Sequence, residues 1–152
     1  MKRQDVKSRC PINFTLETFG DPWSLLIVRD MINEGKKTYG EFLDSEERIG
    51  PSVLADRLSY LEKKGIITRH PDEHDKRKVI YSLTEVGLNL IPIIYEIAVW
   101  GSFTSPNPKA SEAWFKSLQY DKALVLKLWR EAVQSGSSFA NGPNSVVNRL
   151  GL

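Results

Sequence analysis

Gly50-Pro51-Ser52-Val53-Leu54-Ala55-Asp56-Arg57-Leu58-Ser59-Tyr60-Leu61-Glu62-Lys63-Lys64-Gly65 is the stretch whose reading decides the fold. Gly50-Pro51-Ser52 opens a helix, because proline has φ preset and its missing N–H has no partner at the first position anyway. Gly65 stops it. Leu54, Leu58 and Leu61 recur at helical spacing and define a buried stripe. At about 100° per residue, Ser52, Asp56, Ser59, Tyr60 and Lys63 fall opposite that stripe, with Val53 and Arg57 on one flank. A helix with one face to hold it and one polar face to present is what the DNA major groove admits.

Upstream, a first helix is predicted from Pro11 through Ile12, Phe14, Leu16 and Phe19, ended by Gly20. Asp21-Pro22 then supplies an N-cap and a first-position proline for a second helix, which carries Trp23, Leu26, Ile27 and Ile32 and ends near Gly35. Thr38-Tyr39-Gly40-Glu41 has capping-box spacing and starts a third helix, with Phe42 and Leu43 as its core contact. A polar turn, Asp44 to Arg48, leads back to the deciding stretch.

Downstream, Ile66-Ile67-Thr68-Arg69 and Val79-Ile80-Tyr81-Ser82-Leu83 are short β-prone runs around a polar loop, His70 to Lys78, and predict a hairpin. Thr84-Glu85 opens a fifth helix that runs to about Trp100. Ser102 to Pro108 forms a linker, Ser111 to Leu118 and Asp121 to Gln134 look helical, and the Gly/Ser/Asn-rich segment from Ser135 predicts a mobile or loosely docked tail. The expected fold is mainly α with a small β-hairpin wing, a winged helix-turn-helix plus additional C-terminal helices. Residues 1–101 form the DNA-binding domain with its dimerisation helix, and residues 102–152 a helical extension with a flexible tail.

Composition narrows the function. The 152 residues are 41% hydrophobic and 26% charged, ordinary for a globular protein with a core. Net charge is only +2: residues 1–101 hold 15 Lys/Arg against 16 Asp/Glu, and residues 102–152 hold 6 against 3. A nucleic-acid surface must therefore come from local clustering. Lys76, Arg77 and Lys78 in the hairpin loop are such a cluster, suited to phosphate or the minor groove. No glycine-rich phosphate loop, nucleophile motif or metal-ligand cluster stands out, so no enzyme activity, cofactor or metal is expected. His70 and His74, four apart with no third ligand nearby, read as loop histidines.

One cysteine, Cys10, excludes an intramolecular disulfide. The polar, charged Met1 to Arg9 segment lacks the apolar run of a signal peptide, and a cytoplasmic location is expected. Val86 to Gly101, interrupted by Asn89, Pro92 and Glu96, is shorter than a membrane span and reads as a buried helix.

The ordered set of short motifs resembles the HxlR-type winged-helix transcriptional regulators, relatives of the MarR group, over roughly Cys10 to Gly101. The motifs are Cys10-Pro11, Gly20-Asp21-Pro22-Trp23, Tyr39-Gly40-Glu41-Phe42-Leu43, Ile49 to Ile67, Tyr81-Ser82-Leu83-Thr84-Glu85-Val86-Gly87 and Trp100-Gly101. Pro22 stands before the tryptophan where many members have a basic residue. The resemblance implies a dimeric regulator that binds double-stranded DNA at a two-fold-related operator. The other reading of the same pattern is a winged-helix protein-interaction module that never touches DNA.

The expected DNA contacts are Thr38, Pro51, Ser52, Val53, Asp56, Arg57, Tyr60 and Lys63, with Lys76, Arg77 and Lys78 in the wing. Arg57 has the reach for a base or phosphate, and its flanking angle also permits an internal pair with a carboxylate of the third helix. The fifth helix is apolar nearly all round, and one small domain covers one side of it. A dimer interface is expected at Leu88, Ile91, Tyr95, Ala98, Val99 and Trp100, with the Asp121–Gln134 helix as an alternative cover. Cys10, at a helix start near Lys7 and Arg9, is a candidate redox sensor. Trp23, Tyr39, Tyr95 and Trp100 are candidate linings of a small-molecule effector pocket.

Overall fold

The computed structural model describes residues 7–152. Helix α1 (Pro11–Phe19) begins with its proline in the first turn. Asp21 caps the next helix: its Oδ1 accepts the N–H groups of Trp23 and Ser24 at 2.9 and 2.8 Å. Regular α2 (Ser24–Arg29) starts slightly later than the proline suggests and runs on through a wider π-helical turn, Asp30–Glu34. Gly35 ends it at φ +77°, a left-handed conformation that L side chains disfavour. Helix α3 (Tyr39–Leu43) has the reciprocal capping box. The Glu41 N–H donates to Thr38 Oγ1 at 3.2 Å, and the Thr38 N–H donates to the Glu41 carboxylate at 3.0 Å. Helix α4 (Pro51–Lys63) buries Leu54, Leu58 and Leu61 against α2, α3 and the hairpin.

The hairpin pairs β1 (Ile67–Pro71) with β2 (Val79–Leu83) from Ile67↔Leu83 to Pro71↔Val79. Pairing thus extends through His70 and Pro71, which the sequence placed in the loop. The Tyr81 N–H donates to the Lys37 carbonyl at 2.8 Å, and its ring meets Phe42 edge-on, so the wing is tied to the lead-in of α3. A Cβ at Gly87 would sit 2.3 Å from the Ile66 carbonyl oxygen, so glycine alone lets the next helix pass this close to the first strand.

The expected fifth helix is two helices, α5 (Glu85–Leu88) and α6 (Ile91–Thr104), broken at Asn89 and Leu90. Pro92 is the cause: it has no N–H for the Leu88 carbonyl, and its ring clashes with that carbonyl in a continuous helix. Among the described residues, Glu85–Thr104 spans 20 residues and is long and apolar enough to cross a membrane by length and composition, contrary to the shorter estimate from sequence. Its inner side is nevertheless core: Leu88, Leu90, Ile91, Ile94 and Tyr95 are buried. Glu85 and Glu96 pair with Arg130 and Lys122 of the C-terminal segment.

That segment carries α7 (Glu112–Ser117), α8 (Lys122–Gln134) and α9 (Val146–Leu150). Tyr95, Trp114, Trp129 and Phe139 form an edge-to-face cluster, with Trp129 and Phe139 5.0 Å apart between centroids. The Trp129 indole N–H and the Phe139 N–H both donate to the Ile32 carbonyl, at 2.7 and 2.9 Å, and Ala140 N–H donates to Asn33. These carbonyls end the second helix and lack helical partners, so the extension caps it. The segment after Ser135 is therefore packed rather than loose. Phe139 and Val146 are buried, and hydroxyls of Ser137, Ser138 and Ser145 accept the N–H groups of Asn144, Asn141 and Asn148.

Trp129 anchors this packing, so Trp129→Ala is expected to cost about 3–5 kcal/mol. Trp129→Phe keeps most of the ring but leaves the hydrogen bond unmade, costing about 1 kcal/mol. Urea unfolding measures both; equal stability of Trp129→Ala and wild type contradicts a docked extension.

Candidate nucleic-acid interface

Four contacts from outside α4 fix its position. At its start, the Tyr39 hydroxyl donates to the Pro51 carbonyl at 3.0 Å. At its middle, the Arg57 guanidinium lies 3.5 Å from Asp21, 2.7 Å from Asp56 and 4.6 Å from the Tyr60 ring centre. Toward its end, the Tyr60 hydroxyl donates to the Thr18 carbonyl at 2.9 Å, linking α4 to α1. The turn before α4 is held by Glu47, whose two oxygens accept from Arg29 at 2.5 and 2.8 Å. Arg29 also pairs with buried Asp30 at 2.7 Å, and Lys36 with Asp30 at 3.1 Å.

The electrostatics follow these pairs. Burial alone would raise the Asp21 carboxyl, but hydrogen bonds from Ser24 and Trp23 and the charge of Arg57 hold it below its usual value. The hydrogen bonds from Arg29 pull Glu47 down to about 2, against the opposing effect of burial. Asp56 raises the Arg57 pKa, chiefly through its hydrogen bond.

The predicted contact residues divide accordingly. Pro51, Ser52, Val53, Asp56 and Lys63 are exposed, and Ser59 lies with them. Arg57 and Tyr60 are not on that outer face. Arg57 is only 14% exposed, and its carboxylate partners are Asp21 and Asp56 rather than a residue of α3. Tyr60, placed opposite the leucine stripe by its angle, turns inward because its long side chain reaches the Thr18 carbonyl. Thr38 is half-buried and occupied as the α3 cap. Sequence reading missed Arg29 and Glu47 as a pair because 18 residues separate them, with no local pattern to join them.

At the wing tip, Asp72 organises the loop by accepting the N–H groups of His74 and Asp75 at 2.7 and 3.1 Å. Lys76, Arg77 and Lys78 project into solvent, Arg77 with its side chain 92% exposed and 3.1 Å from Asp75. A phosphate must compete with that carboxylate. His70 Nε2 is 2.9 Å from Ser82 Oγ across the hairpin.

The dimer prediction is corrected in part. Leu88, Ile91 and Tyr95 are buried in the chain's own core, where α6 packs on α8 and Tyr95 meets Trp114 of α7, while Ala98 and Val99 are half-buried. Trp100 is exposed, and Ile93, Ile97 and Phe103 share its stripe on α6. Ile12, Phe14 and Leu16 of α1 are also exposed. Cys10, the residue before α1, is exposed. The four aromatics proposed for a pocket are dispersed: Tyr39 bonds to α4, Tyr95 packs on Trp114, Trp100 faces solvent, and Trp23 packs against the core.

The depressed Glu47 gives a pH signature. A carboxyl held down in the folded state stabilises the protein fully above its usual value of 4.5 and loses that stabilisation as pH falls toward about 2. Glu47→Gln should therefore be less stable than wild type at pH 7, with the gap closing between about pH 4.5 and 2. Denaturant midpoints across that range check it; a gap independent of pH contradicts the pairing.

Comparison with known proteins agrees with this arrangement. The family model described as HxlR-like helix-turn-helix matches residues 18–108. The HTH-type transcriptional regulator YybR of Bacillus subtilis (strain 168) is 39% identical over 99 residues, covering 62% of this chain and 75% of YybR. Among solved structures, PA1607 superposes with a TM-score of 0.62 at 35% identity, covering 70% of this chain and 72% of PA1607. The redox regulator HypR in its oxidised form superposes at 0.56 and 36% identity, covering 66% of this chain and all of HypR. The match spans both helices of the motif, the wing and α6, and the chain belongs to the HxlR-like helix-turn-helix family of transcriptional regulators.

Proposed function

We propose that this regulator acts as a homodimer on a two-fold-related DNA operator in the cytoplasm, with α4 as the recognition helix. The observation that carries the reading is the division of α4: Ser52, Asp56, Ser59 and Lys63 face outward while Leu54, Leu58, Leu61, Arg57 and Tyr60 tie the helix inward. Ser52 and Val53, in the first turn, are the base-reading residues. Lys76, Arg77 and Lys78 grip phosphate, and Arg57 positions the helix. Family membership supports DNA as the partner.

Two classes of variant separate these roles. Lys76→Ala with Arg77→Ala weakens binding to every sequence and lowers the salt slope by about one unit per lost contact. Ser52→Ala relaxes discrimination at particular bases by about 1–3 kcal/mol. Affinity against salt, on DNA upstream of the protein's own gene and on a scrambled control, checks both. Equal losses on the two DNAs for Ser52→Ala contradict the assignment. Absence of all binding at low salt favours a protein-interaction module instead.

The exposed stripe Ile93, Ile97, Trp100 and Phe103 of α6 is the dimer surface. Sedimentation at micromolar concentration is expected to show a dimer, and Ile97→Glu a monomer with impaired operator binding; a monomeric wild type contradicts it.

Cys10 serves as a thiol switch in this reading, supported by its exposure and by similarity to a redox regulator. With one cysteine per chain, oxidation by diamide joins Cys10 to the Cys10 of another chain or to a small thiol. The two thiols release two protons and two electrons, which the diazene takes up. Diamide is expected to change DNA affinity of the wild type and not of Cys10→Ser; identical responses remove Cys10 from the mechanism.

A further inference from the structure

We propose that the cavity between α2, α6 and the C-terminal extension is a regulatory site for a small organic anion with a flat apolar body. Its occupancy reaches the recognition helix through Glu46 and Glu47. The second half of this inference rests on the DNA-binding reading above.

The cavity holds about 390 Å³, the size of a small-molecule site. Trp114, Trp129, Ile94 and Ala98 form apolar wall. Both indole N–H groups are already engaged, Trp114 with the Ser102 hydroxyl at 2.9 Å and Trp129 with the Ile32 carbonyl at 2.7 Å. The tryptophans therefore offer ring surface rather than donors, which selects a flat apolar body. Arg29 and Lys109 are the charged residues of the lining, and no carboxylate lines it. That sign selects an anion.

Both cations already hold glutamates of the turn that joins α3 to α4. Arg29 forks onto Glu47 and also donates to buried Asp30 through Nε and Nη2, and Lys109 Nζ lies 2.7 Å from Glu46. An anion in the cavity competes for these cations. Lys109 is 85% exposed and its pair is solvent-screened, so it turns inward first. Arg29 follows only if the ligand shares its fork. Either exchange frees a glutamate next to α4 and changes how firmly the helix is presented. Lys109, Trp114 and Trp129 all lie beyond residue 108, where the family match ends, so this chain's extension completes a site whose other wall, Arg29, Ile94 and Ala98, lies within the match.

The test titrates 2-naphthoate into the full-length, nitrogen-15-labelled protein and follows the four indole N–H resonances. Saturable binding at one per chain is expected, shifting Trp114 and Trp129 while Trp23 and Trp100 stay. Lys109→Gln weakens it roughly tenfold, as loss of one charge-assisted contact does. Ala110→Trp, on the exposed linker, fills the cavity and abolishes it. Saturating naphthoate changes operator affinity several-fold in the wild type and not in Ala110→Trp. No saturable binding at millimolar naphthoate, or binding indifferent to both variants or confined to Trp100, overturns the site. Binding at Trp114 and Trp129 with operator affinity unchanged overturns the link to α4. A wild type that binds naphthoate there but no DNA at all sinks the DNA-binding reading and leaves the site standing.

Discussion

Everything in this molecule depends on burying the leucine stripe of α4. Leu54, Leu58 and Leu61 are each essentially inaccessible to water, and each contributes about 1.5–3 kcal/mol by burial. That burial is non-directional, so it holds the helix down without setting its rotation or depth. The polar contacts supply the direction. Tyr39, Asp21 through Arg57, Thr18 through Tyr60, and Arg29 through Glu47 reach α4 or its lead-in turn from α3, the loop before α2, α1 and α2. Each is modest alone, on the order of 1 kcal/mol. Together they leave one orientation, in which the Ser52–Lys63 face points outward.

The second consequence concerns the extension. The end of the second helix would expose the carbonyls of Ile32 and Asn33, and the extension meets them with the Trp129 indole and the N–H groups of Phe139 and Ala140. The aromatic cluster that brings those donors into place also walls the cavity beside Arg29. A segment largely outside the family match is thus continuous with the core of the helix-turn-helix unit, and its Lys109 pairs with the turn before α4.

Local signals in the sequence were legible where one or two neighbouring residues decide the outcome. Pro51, Gly65, Gly35 and the Thr38–Glu41 box all set boundaries as their chemistry predicts, whereas Asp21 caps a helix that starts later than Pro22 suggests. The helix after the wing was misjudged because its apolar pattern is continuous while Pro92 breaks the hydrogen-bond ladder. The tail was misjudged because composition counts serines and glycines without showing that the serine hydroxyls close local backbone bonds next to buried Phe139. At the interface, angles around α4 placed Ser52 and Lys63 outward, but side-chain length carried Arg57 and Tyr60 to partners more than thirty residues away. Likewise, the apolar run of α6 gave no means of separating the residues buried in the chain's own core from the Ile93–Phe103 stripe left exposed.

The central claim is that α4 faces DNA from a two-fold dimer. Hydroxyl-radical and methylation footprinting of the protein on its own upstream DNA tests it most directly. The account predicts two related major-groove protections on one face of the duplex, about 34 Å apart centre to centre, both lost in Ser52→Glu. A single protected patch, or two patches that persist in Ser52→Glu, would contradict it.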